Sequence, residues 1–91
     1  MNEIEHPELL EELRVRIQNR ESVVQTMRFL IQRLHLGPGS RLVVIGYFRA
    51  AFSIQLSAAS KLGAWQFFDG GSWSDEMIEA EMMPLLRSQR K

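Results

Sequence analysis

The stretch "LVVIGYFRAAFSIQLSAAS", residues 42–60, is the most apolar part of the chain and decides its fold class. It fits a buried strand running into a helix, a membrane span, or the central helix of a bundle. A strand over 42–48 has suitable β-branched content, but no other segment offers a clear pairing partner. A membrane span would place Arg49 near its middle, which costs roughly 2.5–3.5 kcal/mol.

The helical interpretation accounts for a row of small residues in and just after this stretch. They recur at alternating spacings of four and three: Gly46, Ala50, Ser53, Ser57, Ser60 and Ala64. Such a row lies on one side of a helix and lets a neighbouring helix approach closely. We therefore predict a nearly all-round apolar helix from about 41 to 62, ended by Gly63.

The preceding segment has the pattern of a long amphipathic helix. Its large apolar residues follow a heptad spacing: Leu10, Leu13, Ile17, Val24, Met27, Ile31 and Leu34. Large side chains at this period can pack over the small row of the central helix. The competing interpretation is a break near Asn19, because Ser22 and Gln25 have the spacing of a capping box. We favour one helix from about 7 to 35, ended by the "GPG" turn that follows.

An aromatic loop and a shorter helix complete the predicted architecture. The loop "AWQFFDGGSW" contains an Asp-Gly-Gly turn, and its aromatic residues are predicted to cover the bundle. Ser74 is a good N-cap, and acidic residues follow it, which predicts a helix from about 74 to 88. The chain is thus predicted to be all-α, a single domain over 1–91 with two long antiparallel helices.

The zero net charge conceals a strong segregation along the chain. Residues 1–12 carry −5, residues 13–68 carry +7 and residues 69–91 carry −2. Either the acidic ends fold back over the basic middle, or the middle meets an anionic partner such as nucleic acid or an acidic protein surface. The sequence leaves both interpretations open.

No constellation for catalysis can be assembled from these residues. His6 and His35 lie far apart without a surrounding motif, and the carboxylates after Ser74 are typical of a first helical turn. Cysteine is absent, which excludes disulfides and thiolate metal sites and suits a reducing compartment. We therefore expect no enzyme activity, no cofactor, no metal site, no membrane association and a cytoplasmic location.

Composition instead favours a protein-interaction module. Aromatic, methionine and arginine side chains are what interface cores prefer, and this chain has more apolar surface than a small bundle readily covers. The predicted role is a regulatory or adaptor protein that binds another protein through helix faces as a homodimer. The alternative is a nucleic-acid-binding regulator that uses the Arg-rich first helix. The predicted partner-binding residues are Arg14, Arg16, Arg28, Arg33, Arg49, Trp65 and Trp73.

Overall fold

The computed structural model describes residues 6–87, and every regular element in that range is helical. The α-helices are α1 (Glu8–Gln18), α2 (Val23–Leu34), α3 (Arg41–Phe52), α4 (Leu56–Ala59) and α5 (Asp75–Arg87). A 3₁₀ helix, Ser60–Ala64, continues directly from α4. The all-α fold is confirmed, whereas the continuity of the two long helices is not.

The predicted helix over 7–35 is in fact two helices. Arg20 adopts a left-handed conformation with φ +71°. The Arg20 amide donates to the Ile17 carbonyl at 3.0 Å and the Glu21 amide to the Arg16 carbonyl at 2.9 Å. These are the two bonds of a Schellman motif, which ends a helix and satisfies its last carbonyls. The prediction of one helix is wrong. The heptad spacing does not exclude a break, because two helices that pack against the same core can keep that spacing across the turn between them.

Ser22 caps the start of α2, which is one half of the capping box that its spacing with Gln25 indicates. Ser22 is extended and its hydroxyl accepts a hydrogen bond from the Gln25 amide at 3.0 Å. The Glu79 carboxylate, which belongs to α5, accepts two more bonds from the amides of Val23 at 2.9 Å and Val24 at 2.8 Å. A helix start has amides without partners inside the helix, and it favours negative charge. Glu79 therefore ties the last helix to the turn between the first two.

Replacing Glu79 by alanine should lower the free energy of unfolding by about 1–3 kcal/mol, because the amides of two buried valines lose a charged acceptor. Urea unfolding followed by circular dichroism measures the change. Glu76→Ala is the matched control, since Glu76 is an exposed carboxylate on the same helix. Equal stability of the two variants would show that the carboxylate does not cap α2.

The predicted helix over 41–62 is also interrupted. Ser53 adopts a left-handed conformation with φ +56°, and its amide donates to the Arg49 carbonyl at 2.8 Å, which closes α3. The chain then returns through α4 and the 3₁₀ helix, which pack back against α3. A Cβ atom on Gly63 would lie 3.2 Å from side-chain atoms of both Arg41 and Ile45, so a glycine suits this close approach.

The row of small residues is consequently not a packing face. It bends away at Ser53, and its members Ser53, Ser57 and Ser60 are exposed. The prediction that large residues of the first helix pack over this row is wrong. Helix α3 instead contributes mainly large side chains to the core: Val44, Ile45, Tyr47, Phe48, Ala51 and Phe52.

The core lies between α3 and the surrounding helices. Helix α1 packs against one side of α3 and the 3₁₀ helix against another, while α2 packs against α5 and α1. The two ends of the aromatic segment, residues 64–73, are hydrogen-bonded to each other. The amides of Ser72 and Trp73 both donate to the Ala64 carbonyl, at 2.9 and 2.8 Å. Trp65 and Phe68 are buried there. The aromatic loop and the capping of α5 by Ser74, whose hydroxyl accepts from the Met77 amide, agree with the sequence.

Candidate interaction surface

The arginines of α1 are engaged within the chain. Arg16 lies 3.1 Å from a Glu12 oxygen and 2.9 Å from a Glu21 oxygen, and its guanidinium lies 3.7 Å from the centre of the Phe29 ring. Arg14 lies 3.5 Å from Glu11 and donates to the Ala51 carbonyl of α3 at 3.1 Å. Both side chains therefore help to order α1, at the α1–α2 turn and against α3.

The arginines of α2 contact acids from the two ends of the described chain. Arg33 lies 3.9 Å from Glu8, and Arg28 lies 3.9 Å from Asp75. Lys61 and Glu81 form a similar pair at 3.5 Å. Among the described residues, three acids of the end segments thus lie beside bases of the middle, which fits one of the two interpretations of the charge segregation. Exposed pairs of this kind contribute only about 0–1 kcal/mol each, so they order the surface more than they stabilise it.

The two tryptophans occupy different positions. Trp65 is completely buried, and its indole nitrogen donates to Asp75 at 2.7 Å. The prediction that Trp65 binds a partner is wrong, because a buried ring has no surface to offer. Trp73 is half-buried and packs against the core. It keeps some accessible surface, and its role in binding stays a prediction.

Helix α3 leaves one side uncovered. Its exposed or half-exposed residues recur at spacings of three and four, so they lie on one side of the helix. We call this side the α3 face: Leu42, Val43, Gly46, Arg49 and Ala50. Leu42 is 76% exposed and Val43 is 41% exposed. The face lies between the sides of α3 that pack against α1 and the 3₁₀ helix.

The α3 face is apolar where an ordinary surface helix is polar. A helix in contact with both a core and water carries charged and polar residues on its outer side, whereas an all-round apolar helix is normally covered on all sides. Leucine, valine, glycine and alanine make up most of this face, and Arg49 is its one charge. The α3 face is therefore an exposed, mostly apolar side of the central helix.

Gly46 is the least expected residue of the face. Glycine inside a helix destabilises it by roughly 0.5–1 kcal/mol relative to alanine. An added Cβ atom at Gly46 would have no neighbour within 4 Å, so the described fold gives no steric reason for a glycine there. A reason outside the chain is the close approach of a second backbone, which a side chain would prevent.

Arg49 is the predicted site residue that remains available. Its side chain is exposed, and in the part of the chain that the structure describes it has no acidic partner. No acidic residue occurs from residue 22 to residue 68, a segment that contains all of α2, α3 and α4. The α3 face is therefore apolar, with a cation at its edge that has no acidic partner among residues 6–87.

The sequence predictions missed Leu42, Val43 and Gly46 as surface residues. The sequence signal for this surface is that residues 41–52 are apolar on all sides of the helix. This signal predicts that the helix is covered, but it does not show which side the rest of the chain leaves exposed. The small-residue row was assigned to packing inside the chain, although Gly46 and Ala50 lie on the α3 face.

The other described residues do not form a recognisable metal-binding or catalytic site. Within residues 6–87 no group of three or more His, Asp or Glu side chains is placed to hold a metal ion. His6 lies 3.4 Å from Glu8 at the start of α1, and His35 ends α2 in a left-handed conformation with its side chain exposed. Over the same residues, no helix combines the length and the hydropathy that crossing a bilayer requires.

Comparison with known proteins adds no relative. No family model, no curated protein and no solved structure matches the chain. The function therefore has to be inferred from the α3 face and its surroundings.

Proposed function

We propose that this chain is a small, non-catalytic, cytoplasmic regulatory or adaptor protein that binds another protein through the α3 face. The observation that carries the proposal is the exposure of Leu42 and Val43 beside a helical glycine that the chain's own packing does not require. Contiguous exposed apolar surface on a small protein is a mark of an interaction site.

Binding through the α3 face would remove apolar side chains from water. Complete burial of a leucine or valine side chain contributes about 1.5–3 kcal/mol. Leu42 and Val43 lie next to each other on the first turn of α3, and Gly46 lies one turn further along. A partner that covers this short stretch buries two large apolar groups and meets no side chain at the glycine. Interfaces commonly draw most of their affinity from such a small central group.

Nucleic-acid binding through the first helices receives less support. Its candidate residues Arg14, Arg16, Arg28 and Arg33 each lie within 4 Å of an acidic oxygen of the same chain. A phosphate backbone would have to displace those carboxylates. The homodimer also stays a prediction.

Site-specific photo-crosslinking in the native host tests the proposal. One variant carries p-benzoylphenylalanine in place of Val43 and the control carries it in place of Val15, which is an exposed valine on α1. The two valines are 41% and 38% exposed, so the probe is equally accessible at both positions. We expect discrete protein adducts from position 43 and few from position 15.

A second substitution separates specific from incidental capture. Leu42→Asp, added to the position-43 variant, should remove the adducts because a carboxylate on the first turn of α3 opposes burial of the face. Similar adducts from positions 43 and 15, or adducts that persist with Leu42→Asp, would refute binding through the α3 face. Nuclease-sensitive adducts would favour the nucleic-acid alternative.

A further inference from the structure

We infer that the occupant of the α3 face is an amphipathic helix of another protein that carries an acidic residue beside its apolar stripe. The inference rests on the proposed function, and it names the chemistry of the partner. Three features of the described chain support it: the unpaired Arg49, the engagement of the chain's own acids, and the linear shape of the face.

Arg49 sets the charge that the partner must complement. Arg49 is one turn past Gly46, at the edge of the face, and no described acid pairs with it. Arg41, on the first turn of α3, already donates to the Asp69 carbonyl and lies over the Phe68 ring. Arg49 is thus the cation of α3 that remains free to meet a carboxylate, and an arginine can hold a carboxylate through two parallel bonds.

The chain's own acids are mostly unavailable for this role. Glu79 caps α2, and the other carboxylates that already contact a basic side chain within the described range are Glu8, Glu11, Glu12, Glu21, Asp75 and Glu81. A second copy that docked its own α3 face would bring a second Arg49 and no acid. Charge complementarity therefore favours a different, acidic partner over a second copy.

The shape of the face suits a helix. Helix α3 has 12 residues and is about 18 Å long, so the face is a straight strip of about three turns. Gly46 makes a notch in the middle of the strip, between the larger Leu42 and Val43 on one side and Ala50 on the other. An amphipathic helix lays a matching strip of apolar residues along such a surface, and the glycine lets the partner's backbone come close.

Selection from a displayed library of amphipathic helices tests this inference. The library keeps an apolar stripe and randomises the positions that flank it, and the full chain serves as the target. We expect the enriched helices to carry Asp or Glu beside the stripe. Their affinity should fall by about twofold to fivefold for the Arg49→Gln target, because an ion pair at the exposed edge of the interface is lost. Arg87→Gln, which changes an exposed arginine on α5, should leave the affinity unchanged.

The outcomes separate this inference from the proposed function. Helices that bind without an acidic preference, and bind Arg49→Gln as well as the parent, would overturn the acidic partner and leave the α3 face as the binding site. Helices whose binding does not change with Leu42→Asp would overturn both. A molecular mass that rises with concentration for the parent but not for Leu42→Asp would identify a second copy as the occupant and overturn the acidic helix.

Discussion

Replacing Gly71 by alanine should reduce the free energy of unfolding by at least about 4 kcal/mol, a loss found only where a substitution breaks a specific structural requirement. A Cβ atom at this position would overlap the Trp65 carbonyl oxygen. It would also lie 2.7 Å from the Trp65 carbonyl carbon and 2.9 Å from the Ala64 oxygen. All three neighbours are backbone atoms, so no side-chain rotation can relieve the overlap.

The backbone of the aromatic segment would have to move apart. That movement would strain the bonds that the amides of Ser72 and Trp73 donate to the Ala64 carbonyl, and the bond from the Gln66 amide to the Trp73 carbonyl at 2.9 Å. These bonds hold the two ends of the loop together beneath α5. A domain of 91 residues has a total stability of about 5–14 kcal/mol, so a loss of about 4 kcal/mol removes between roughly a third and four fifths of it.

Gly46→Ala is the matched control, because it makes the same chemical change in open space. There the added methyl group meets no atom within 4 Å, and alanine favours the helix, so stability should rise by about 0.5–1 kcal/mol. Thermal and urea unfolding of the two variants measure opposite signs of change. A Gly71→Ala protein as stable as the parent would show that residues 64–73 do not close on themselves as described.

Trp65→Ala should lower the free energy of unfolding by about 3–5 kcal/mol, the range for removing a large aromatic side chain from a core. Trp65 is fully buried, stacks on the Phe67 ring at a centroid distance of 5.3 Å and meets the Phe68 ring edge-on at 5.8 Å. Its indole also donates to Asp75 at the start of α5. The substitution removes all of these contacts together.

Trp73→Ala serves as the comparison, since Trp73 is only half-buried and should contribute clearly less to stability. Trp65→Phe adds a second measurement: it keeps most of the packing and removes the donor to Asp75, so its loss should be intermediate. Urea unfolding by circular dichroism compares the three variants with the parent. Equal losses for Trp65→Ala and Trp73→Ala would contradict the central position of Trp65.

Local signals along the chain predict several features of the fold correctly. Ser74 before a run of acids predicts the start of α5, and the "GPG" turn predicts the separation of α2 from α3. Each signal depends on hydrogen bonds or dihedral angles within a few residues, which the sequence specifies directly. The overall apolar content of residues 41–52 likewise identifies α3 as the central helix.

These local signals do not predict the two breaks in the long helices. Arg20 and Ser53 occupy left-handed positions that glycine usually takes, so neither announces the end of a helix. The break before α2 had one hint, the capping box, and it also depends on Glu79, which lies more than fifty residues away. Contacts between distant segments decide such turns, and a periodic pattern along the chain does not contain them.

The same limit applies to the candidate site. The sequence identifies Arg49 and Trp65 as unusual in their surroundings but does not separate an exposed cation from a buried ring. It also identifies α3 as apolar on all sides, and only the packing of α1 and the 3₁₀ helix shows which side stays open. Gly46 belongs to a row that the sequence assigned to internal packing, and the structure places it in open space.

Gly46→Gln tests the central claim, that the α3 face binds another protein, most directly. Glutamine favours a helix over glycine, so the variant should be more stable than the parent by about 0.5 kcal/mol. Its side chain should fill the notch and strongly reduce the adducts that form from p-benzoylphenylalanine at position 43. A stabilised variant that still gives the full yield of adducts would contradict the claim that a partner approaches α3 closely at Gly46.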